Sequence, residues 1–240
     1  MMLNTSTGFF VTGTDTEVGK TLVSGALILK LREADIRTIG FKPVVAGTYV
    51  AASGQKLNED LETLRIASGL NSAEYSLCSF VLDEAAAPHL VAQSHGIHLD
   101  TTIILDQFNA LAKEFDSVVV EGAGGFLVPL NEQEDLGDVA QAMDLPVILV
   151  VGMRLGCINH ALLTCEAIQS RQLTIAGWVA NTLSDEMPFL EENIQSLKGR
   201  IFAPFLGVIP TLPLPLQKSE NTPYSIEALR FVAGHIKLPE

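Results

Sequence analysis

Short apolar runs alternate along the chain with stretches of helical periodicity. Residues 9–12, 38–41, 117–121, 146–151, 174–179 and 205–209 read as strands, and four of these runs are nearly continuous in β-branched or aliphatic side chains. Runs of that kind mark strands covered on both faces. Between them, residues 21–34, 60–68, 100–114, 159–171 and 188–197 carry the helical pattern. This alternation predicts an α/β fold, a doubly wound and mainly parallel sheet flanked by helices and joined by right-handed crossovers. No repeat, low-complexity tract or linker divides the sequence, so residues 1–240 are expected to form one domain. The Pro-rich stretch 209–216 reads as a rigid extended segment, and residues 226–236 as a last helix packed back on the body.

Parallel sheets collect ligands beyond the carboxyl ends of their strands. That rule selects the loop after Thr12 and residues 42–48, 121–125 and 152–159. The first of these reads FFVTGTDTEVGKT from Phe9 to Thr21, an apolar strand entering a Gly-containing loop, and a helix-like segment follows. Such a loop surrounds a polyphosphate with backbone N–H groups and the positive end of the helix. Lys20 would reach the terminal phosphates and the Thr21 hydroxyl would bind Mg²⁺. Five residues separate Gly13 from Gly19 where the common pattern G-x-x-x-x-G-K-[ST] has four, so Thr14 occupies the first-glycine position. The expected ligand is a nucleoside triphosphate.

Composition narrows the partners. An apolar content of 48% suits a buried sheet, while a net charge of −13 without any basic run argues against nucleic acid or an anionic membrane. In so acidic a chain, Lys20 and Lys42 carry more weight than their number suggests. Cys78, Cys157 and Cys165 lack C-x-x-C spacing, which indicates neither a disulfide framework nor a zinc site and fits a reducing cytoplasm. The N-terminal MMLNTSTG has no charged segment leading into an apolar core, and VILVVGM is far shorter than the roughly 20 residues of a membrane span, so a soluble protein is expected.

Phosphoryl transfer depends on positioning and on stabilising charge, and needs a metal, its oxygen ligands and cations around the moving phosphate. Glu121 ends the run VVVE directly before Gly122, Ala123, Gly124 and Gly125, where a carboxylate faces the phosphate loop; it either serves the metal or pairs with a lysine. Asp60, from spacing alone, is an acid in the first turn of a helix. Lys42, at a strand end before Pro43, either points into the cleft beside Lys20 or snorkels to solvent. Gly156, Cys157, Ile158 and Asn159 form the turn into another helix, a second place for an anion unless Asn159 merely caps it. Cys157 has no histidine or second cysteine at motif spacing and reads as inert. His89, His95, His98 and His160 show no metal-ligand spacing, Trp178 reads as core, and Asn181 reads a base edge or makes a turn.

Together these segments resemble the ATP-dependent dethiobiotin synthetases. The resemblance rests on TGTDTEVGKT (Thr12 to Thr21), FKPVVAG (Phe41 to Gly47), the pair Pro88-His89, VEGAGG (Val120 to Gly125), PVILVVG (Pro146 to Gly152), LGCINHALLT (Leu155 to Thr164), AGWVAN (Ala176 to Asn181) and LGVIP (Leu206 to Pro210). The longer phosphate loop is itself the family's form. The resemblance implies a homodimer that joins 7,8-diaminononanoate and CO₂, using ATP and Mg²⁺, to give dethiobiotin, ADP and phosphate. Carried onto this sequence, it implies that Thr16, Glu17, Val18, Gly19, Lys20 and Thr21 hold the triphosphate, with Gly122, Ala123 and Gly124 beside them. It assigns Mg²⁺ to Thr21, Asp60 and Glu121, catalysis to Lys42 with Lys20, and adenine to Asn181, Thr182, Pro210, Thr211 and Leu212. Ala46 and the segment from Gly156 to Asn159 would meet the diamine, the latter through its carboxylate and from the partner subunit. One departure stands out: the family's KPV-x-[ST]-G carries a hydroxyl where this chain has Ala46, and Thr48 is the nearest substitute. Gln217 likewise stands where an acidic adenine contact is expected.

Two other readings compete. Another P-loop ligase, such as one amidating a corrinoid, would bring a glutaminase domain for which the chain has no room. A partition-type ATPase would carry an extra lysine early in the phosphate loop, where this chain has Thr14 and Asp15.

Overall fold

The computed structural model describes residues 8–70 and 75–239, so most of the N-terminal segment read above for a leader lies outside the described residues. In chain order these residues form β1 (Gly8–Gly13), α1 (Lys20–Glu33), β2 (Thr38–Phe41), β3 (Val44–Ala46), β4 (Tyr49–Val50), β5 (Lys56–Leu57), α2 (Glu59–Ser68), β6 (Phe80–Leu82), α3 (Pro88–Ser94) and α4 (Thr101–Glu114). There follow β7 (Ser117–Glu121), α5 (Leu136–Met143), β8 (Val147–Met153), α6 (Cys157–Ser170), β9 (Ile175–Thr182), α7 (Leu190–Lys198), β10 (Phe205–Ile209) and α8 (Ile226–Ala233).

Six strands pair in parallel in the order β10-β9-β8-β1-β7-β2. Every residue of β7 and β8 is buried, which is why their sequences are continuous apolar runs without alternation. Helices α1, α2 and α8 pack together over β1, β2 and β7, α4 packs on β7 with α5, and α6 and α7 cover β8 and β9. One large core gathers around β1, β2, β7 and α1, and a second around Trp178, Leu149 and Met153. Trp178 is core, as its sequence context indicates. Helix α1 is buried on nearly every side because α8 lies close against it; a Cβ added at Gly25 would sit 2.7 Å from Leu229 Cδ2.

All six predicted strands are present, but β9 runs three residues further than expected and carries Asn181 and Thr182 inside the sheet, paired opposite Gly152 and Met153 of β8. Asn181 therefore does not make a turn. Residues 42–48 are not a plain loop either, since β3 pairs in parallel with β6 beyond the main sheet, and β4 and β5 form a two-stranded ribbon. The last helix stops at Ala233. Beyond it Ile236 bridges Gly207 of β10, an approach open only to glycine there: a Cβ at Gly207 would lie 2.1 Å from His235 O. Within the Pro-rich segment, Leu214–Leu216 is a single 3₁₀ turn.

Candidate active site

The phosphate loop bridges β1 and α1. Helix α1 opens on Gly19 in the left-handed region (φ 93°) with no side chain capping it, so its first N–H groups face the cleft unclaimed. Glu17 also has a positive φ (60°), an uncommon conformation outside glycine. Asn181 steadies this turn from β9: its Nδ2 donates to Val18 O at 2.9 Å, and it lies so near that a Cβ on Gly19 would sit 2.3 Å from that nitrogen. Lys20 donates to Asp15 O at 2.9 Å. The Asp15 carboxylate in turn accepts the Thr16 N–H and pairs with Arg154 beyond β8.

Opposite the loop stand Lys42 at the end of β2, Glu121 at the end of β7 and Asp60 in the first turn of α2. Asn58 caps α2, accepting from Asp60 and Leu61 while its own amide donates to Gly47 O at 2.7 Å. The cap thus ties Asp60 to the segment carrying Lys42 and Ala46. Lys42 donates to Asp60 Oδ2 at 2.5 Å and to Glu121 Oε1 at 2.7 Å. The Thr21 hydroxyl lies 2.8 Å from Asp60 Oδ1 and 2.7 Å from Glu121 Oε1, and its single proton serves one carboxylate at a time. Lys42 does not snorkel, and Glu121 does pair with a lysine.

Burial sets the electrostatics. Desolvation, helped by the neighbouring Lys42 charge, lowers the Lys20 ammonium to about 8. Desolvation opposes the charge of Lys42 too, but Glu121 and Asp60 outweigh it and hold that ammonium above its ordinary value. Asp60 is pulled below the usual carboxylate range, because the pull of Lys42 outweighs its burial. Glu121, 0% exposed, is raised by desolvation in spite of Lys42. Its second oxygen is buried and has no hydrogen-bond partner.

That orphaned oxygen, with Thr21 Oγ1 and the Asp60 carboxylate, makes an all-oxygen donor set suited to a hard divalent cation. The described residues hold no cluster of three or more His, Cys, Asp or Glu, so a cation here would draw its remaining ligands from phosphate and water, the habit of Mg²⁺ rather than of zinc.

These groups line one cleft of about 920 Å³. Thr16, Glu17, Gly19, Lys20 and Thr21 form one wall with Ala123, Gly124 and Gly125, and Lys42, Ala46, Asp60 and Glu121 form another. Val18 is buried beneath its loop, and Gly122 donates to Val11 O and backs onto Phe10. Asn181, Thr182, Pro210, Thr211 and Leu212 lie outside the cleft lining, and the Thr211 hydroxyl is buried without a partner. Gly156 to Asn159 also lie outside it, past the end of β8, the strand next to β1, and two residues beyond Arg154, which pairs with Asp15 of the phosphate loop. There α6 begins on Gly156 (φ 94°) with no capping side chain, so Asn159 is not its cap. Thr48 donates to Asp83 and does not line the cleft, so it does not replace the hydroxyl missing at Ala46. Cys157 is buried and unbonded to other cysteines.

Sequence reasoning missed several wall residues. Glu59, Lys218 and Tyr224 line the cleft, with Lys218 paired to Glu59 and standing 5.3 Å over the Tyr224 ring. The polar run KSENTPY after the Pro-rich segment was the available signal. An apolar side is built from Ala85, Ala86, Ala87, Pro88, Leu127 and Val128.

The family model described as an AAA domain matches residues 7–218. Solved structures share the fold at low identity: the septum site-determining protein MinD complexed with Mg-ADP from Pyrococcus horikoshii superposes with a TM-score of 0.56 at 14% identity over 94% of each chain. The cell division ATPase MinD of Pyrococcus furiosus gives 0.53 at 16% identity, covering 95% of this chain and 97% of that one. Sequence relatives are nearer. The ATP-dependent dethiobiotin synthetase BioD of Ralstonia nicotianae is 48% identical over 206 residues, 86% of this chain and 90% of the relative. Its counterpart in Cellvibrio japonicus is 47% identical over the same shares. With identity this high over most of both chains, the chain belongs to the ATP-dependent dethiobiotin synthetase family.

Proposed function

We propose that this protein closes the ureido ring of dethiobiotin, joining 7,8-diaminononanoate and CO₂ at the cost of one ATP. One observation carries the reading: two lysines from separate elements, Lys20 and Lys42, converge with Thr21, Asp60 and Glu121 on a single cleft. The reaction brings anion to anion. One amine takes up CO₂ as a carbamate, whose oxygen attacks the γ-phosphorus of ATP and expels ADP. The second amine then attacks the carbamoyl carbon, phosphate leaves and the ring closes. In water the first encounter is repelled, and a desolvated pair of ammonium groups lowers that barrier.

Thr21, Asp60 and Glu121 would hold Mg²⁺, which supplies charge neutralisation at the phosphates. The open N–H groups after Gly19 bind the phosphate chain, and Lys20 exchanges Asp15 O for a phosphate oxygen. Lys42 is drawn from its two carboxylates toward the carbamate and the moving phosphoryl group. The apolar side from Ala85 to Pro88 and at Leu127 receives the methylenes of the diamine. Asn181 and the segment from Pro210 to Leu212 contribute to the adenine pocket, and a partner subunit's Gly156 loop receives the substrate carboxylate.

Phosphate release from ATP is expected only when the diamine, bicarbonate and Mg²⁺ are all present; equal turnover without the diamine sinks this reading. Lys42→Ala is expected to abolish turnover and to retain ADP binding.

A further inference from the structure

Asp60 owes its place to the first turn of α2, and that turn is held from two sides. On one side the Asn58 cap reaches Gly47 O. On the other the chain after β10 is stitched to α2 at several points: Lys218 pairs with Glu59, the residue before Asp60, and the Tyr224 N–H donates to Thr63 Oγ1 at 3.0 Å. The Thr63 hydroxyl donates to Glu59 O at 2.8 Å, which closes the circuit on the same turn. The Lys218 ammonium lies over the Tyr224 ring, a second attraction holding it in position. Gln217 donates to Leu212 O at 2.8 Å, folding the intervening segment back on itself so that it presents Lys218 to the cleft.

We infer that Lys218 is a positioning residue: by clamping Glu59 it fixes the first turn of α2 and so aims the Asp60 carboxylate at the metal-bearing phosphates. This rests on the reading of Asp60 as a metal ligand and goes beyond it, since it assigns a role to the segment after residue 212. Lys218 acts through Glu59 and Asp60 and touches no nucleotide atom. A clamp of this kind changes affinity for the metal–nucleotide complex and spares affinity for the nucleotide alone.

The test compares binding of Mn²⁺·ADP, followed by electron paramagnetic resonance, with binding of ADP in the presence of a chelator. Lys218→Met is expected to weaken Mn²⁺·ADP about fivefold, the equivalent of an ion pair at the upper end of the partly exposed range, and to leave metal-free ADP unchanged. Glu59→Gln should do the same, the double variant should lose no more than either single one, and Lys218→Arg should retain parent affinity. An equal loss for metal-free ADP would place Lys218 on the nucleotide itself and overturn the inference, as would an unchanged affinity for Mn²⁺·ADP. Asp60→Asn is the control. If it fails to weaken Mn²⁺·ADP, the assignment of Asp60 to the metal falls and the clamp falls with it.

Discussion

At the scale of single residues, the cleft is a problem in keeping charges out of water. Lys20 is buried and loses its proton as the pH rises through about 8, whereas in an unfolded chain it would hold it to about 10.5. Between those values the unfolded state binds more protons, so this group penalises folding fully below pH 8 and releases that penalty as pH climbs to 10.5. A bound polyphosphate favours the charged ammonium. At about pH 9, Mg²⁺·ADP binding should therefore take up close to one proton, and at about pH 6.5, where Lys20 is already charged and the metal keeps the nucleotide ionised, almost none, measured by calorimetry in buffers of different ionisation enthalpy. No uptake at the higher pH would mean that Lys20 is already charged. Lys42 presents the complementary case. Lys42→Met leaves the fully buried Glu121 uncompensated, and about 3–5 kcal/mol of stability should be lost at neutral pH in denaturant titrations. Because burial raises Glu121, its cost as an anion disappears once it is protonated, so the deficit should shrink on acidification. A deficit independent of pH would point to lost packing instead.

Elements tell how much the sequence discloses. The phosphate loop and all six sheet strands were legible because each is a local pattern: a continuous apolar run, or glycines and a lysine at fixed spacing. Strands β3 and β6, three residues each, were not, since their pairing is a tertiary event without local periodicity. Helix α5 hid behind the polar run NEQED, although Asp135 and Asp138 form a capping box that announces it. Lys218 was invisible for a different reason: its partner Glu59 is 159 positions away. Glycines at close approaches are equally mute, and Gly25 is one of them. Gly25→Val should force α1 from α8, costing roughly 1–3 kcal/mol by overpacking, and Leu229→Ala in the same chain should recover part of it. Thermal or denaturant unfolding of the two variants decides the matter; a Gly25→Val protein of undiminished stability would show that α8 is free to shift.

For the whole molecule the decisive relation is between two rims. The phosphate loop, Lys42, Asp60 and Glu121 occupy the side of the sheet made by β1, β7 and β2, whereas Gly156 and the open start of α6 sit beyond β8. Leu155, 99% exposed, and Phe189, 74% exposed, stand on the surface near that rim's elements. Gly156 to Asn159 do not line the cleft although Arg154, two residues earlier, pairs with Asp15 of the phosphate loop, and the proposed homodimer, in which each loop completes the other subunit's site, can be tested by mixing variants. Asn159→Asp places a negative charge in the first turn of α6, repelling a carboxylate while remaining compatible with the helix. Lys42→Ala disables the opposite rim. Each variant alone should be nearly inactive, yet after subunit exchange half of the dimers are mixed, and one of their two sites pairs an intact Lys42 with an intact loop. About a quarter of parent activity should return, by the symmetry of a two-fold dimer. If each loop serves its own subunit, every site in the mixed dimer carries a defect, and mixing restores nothing.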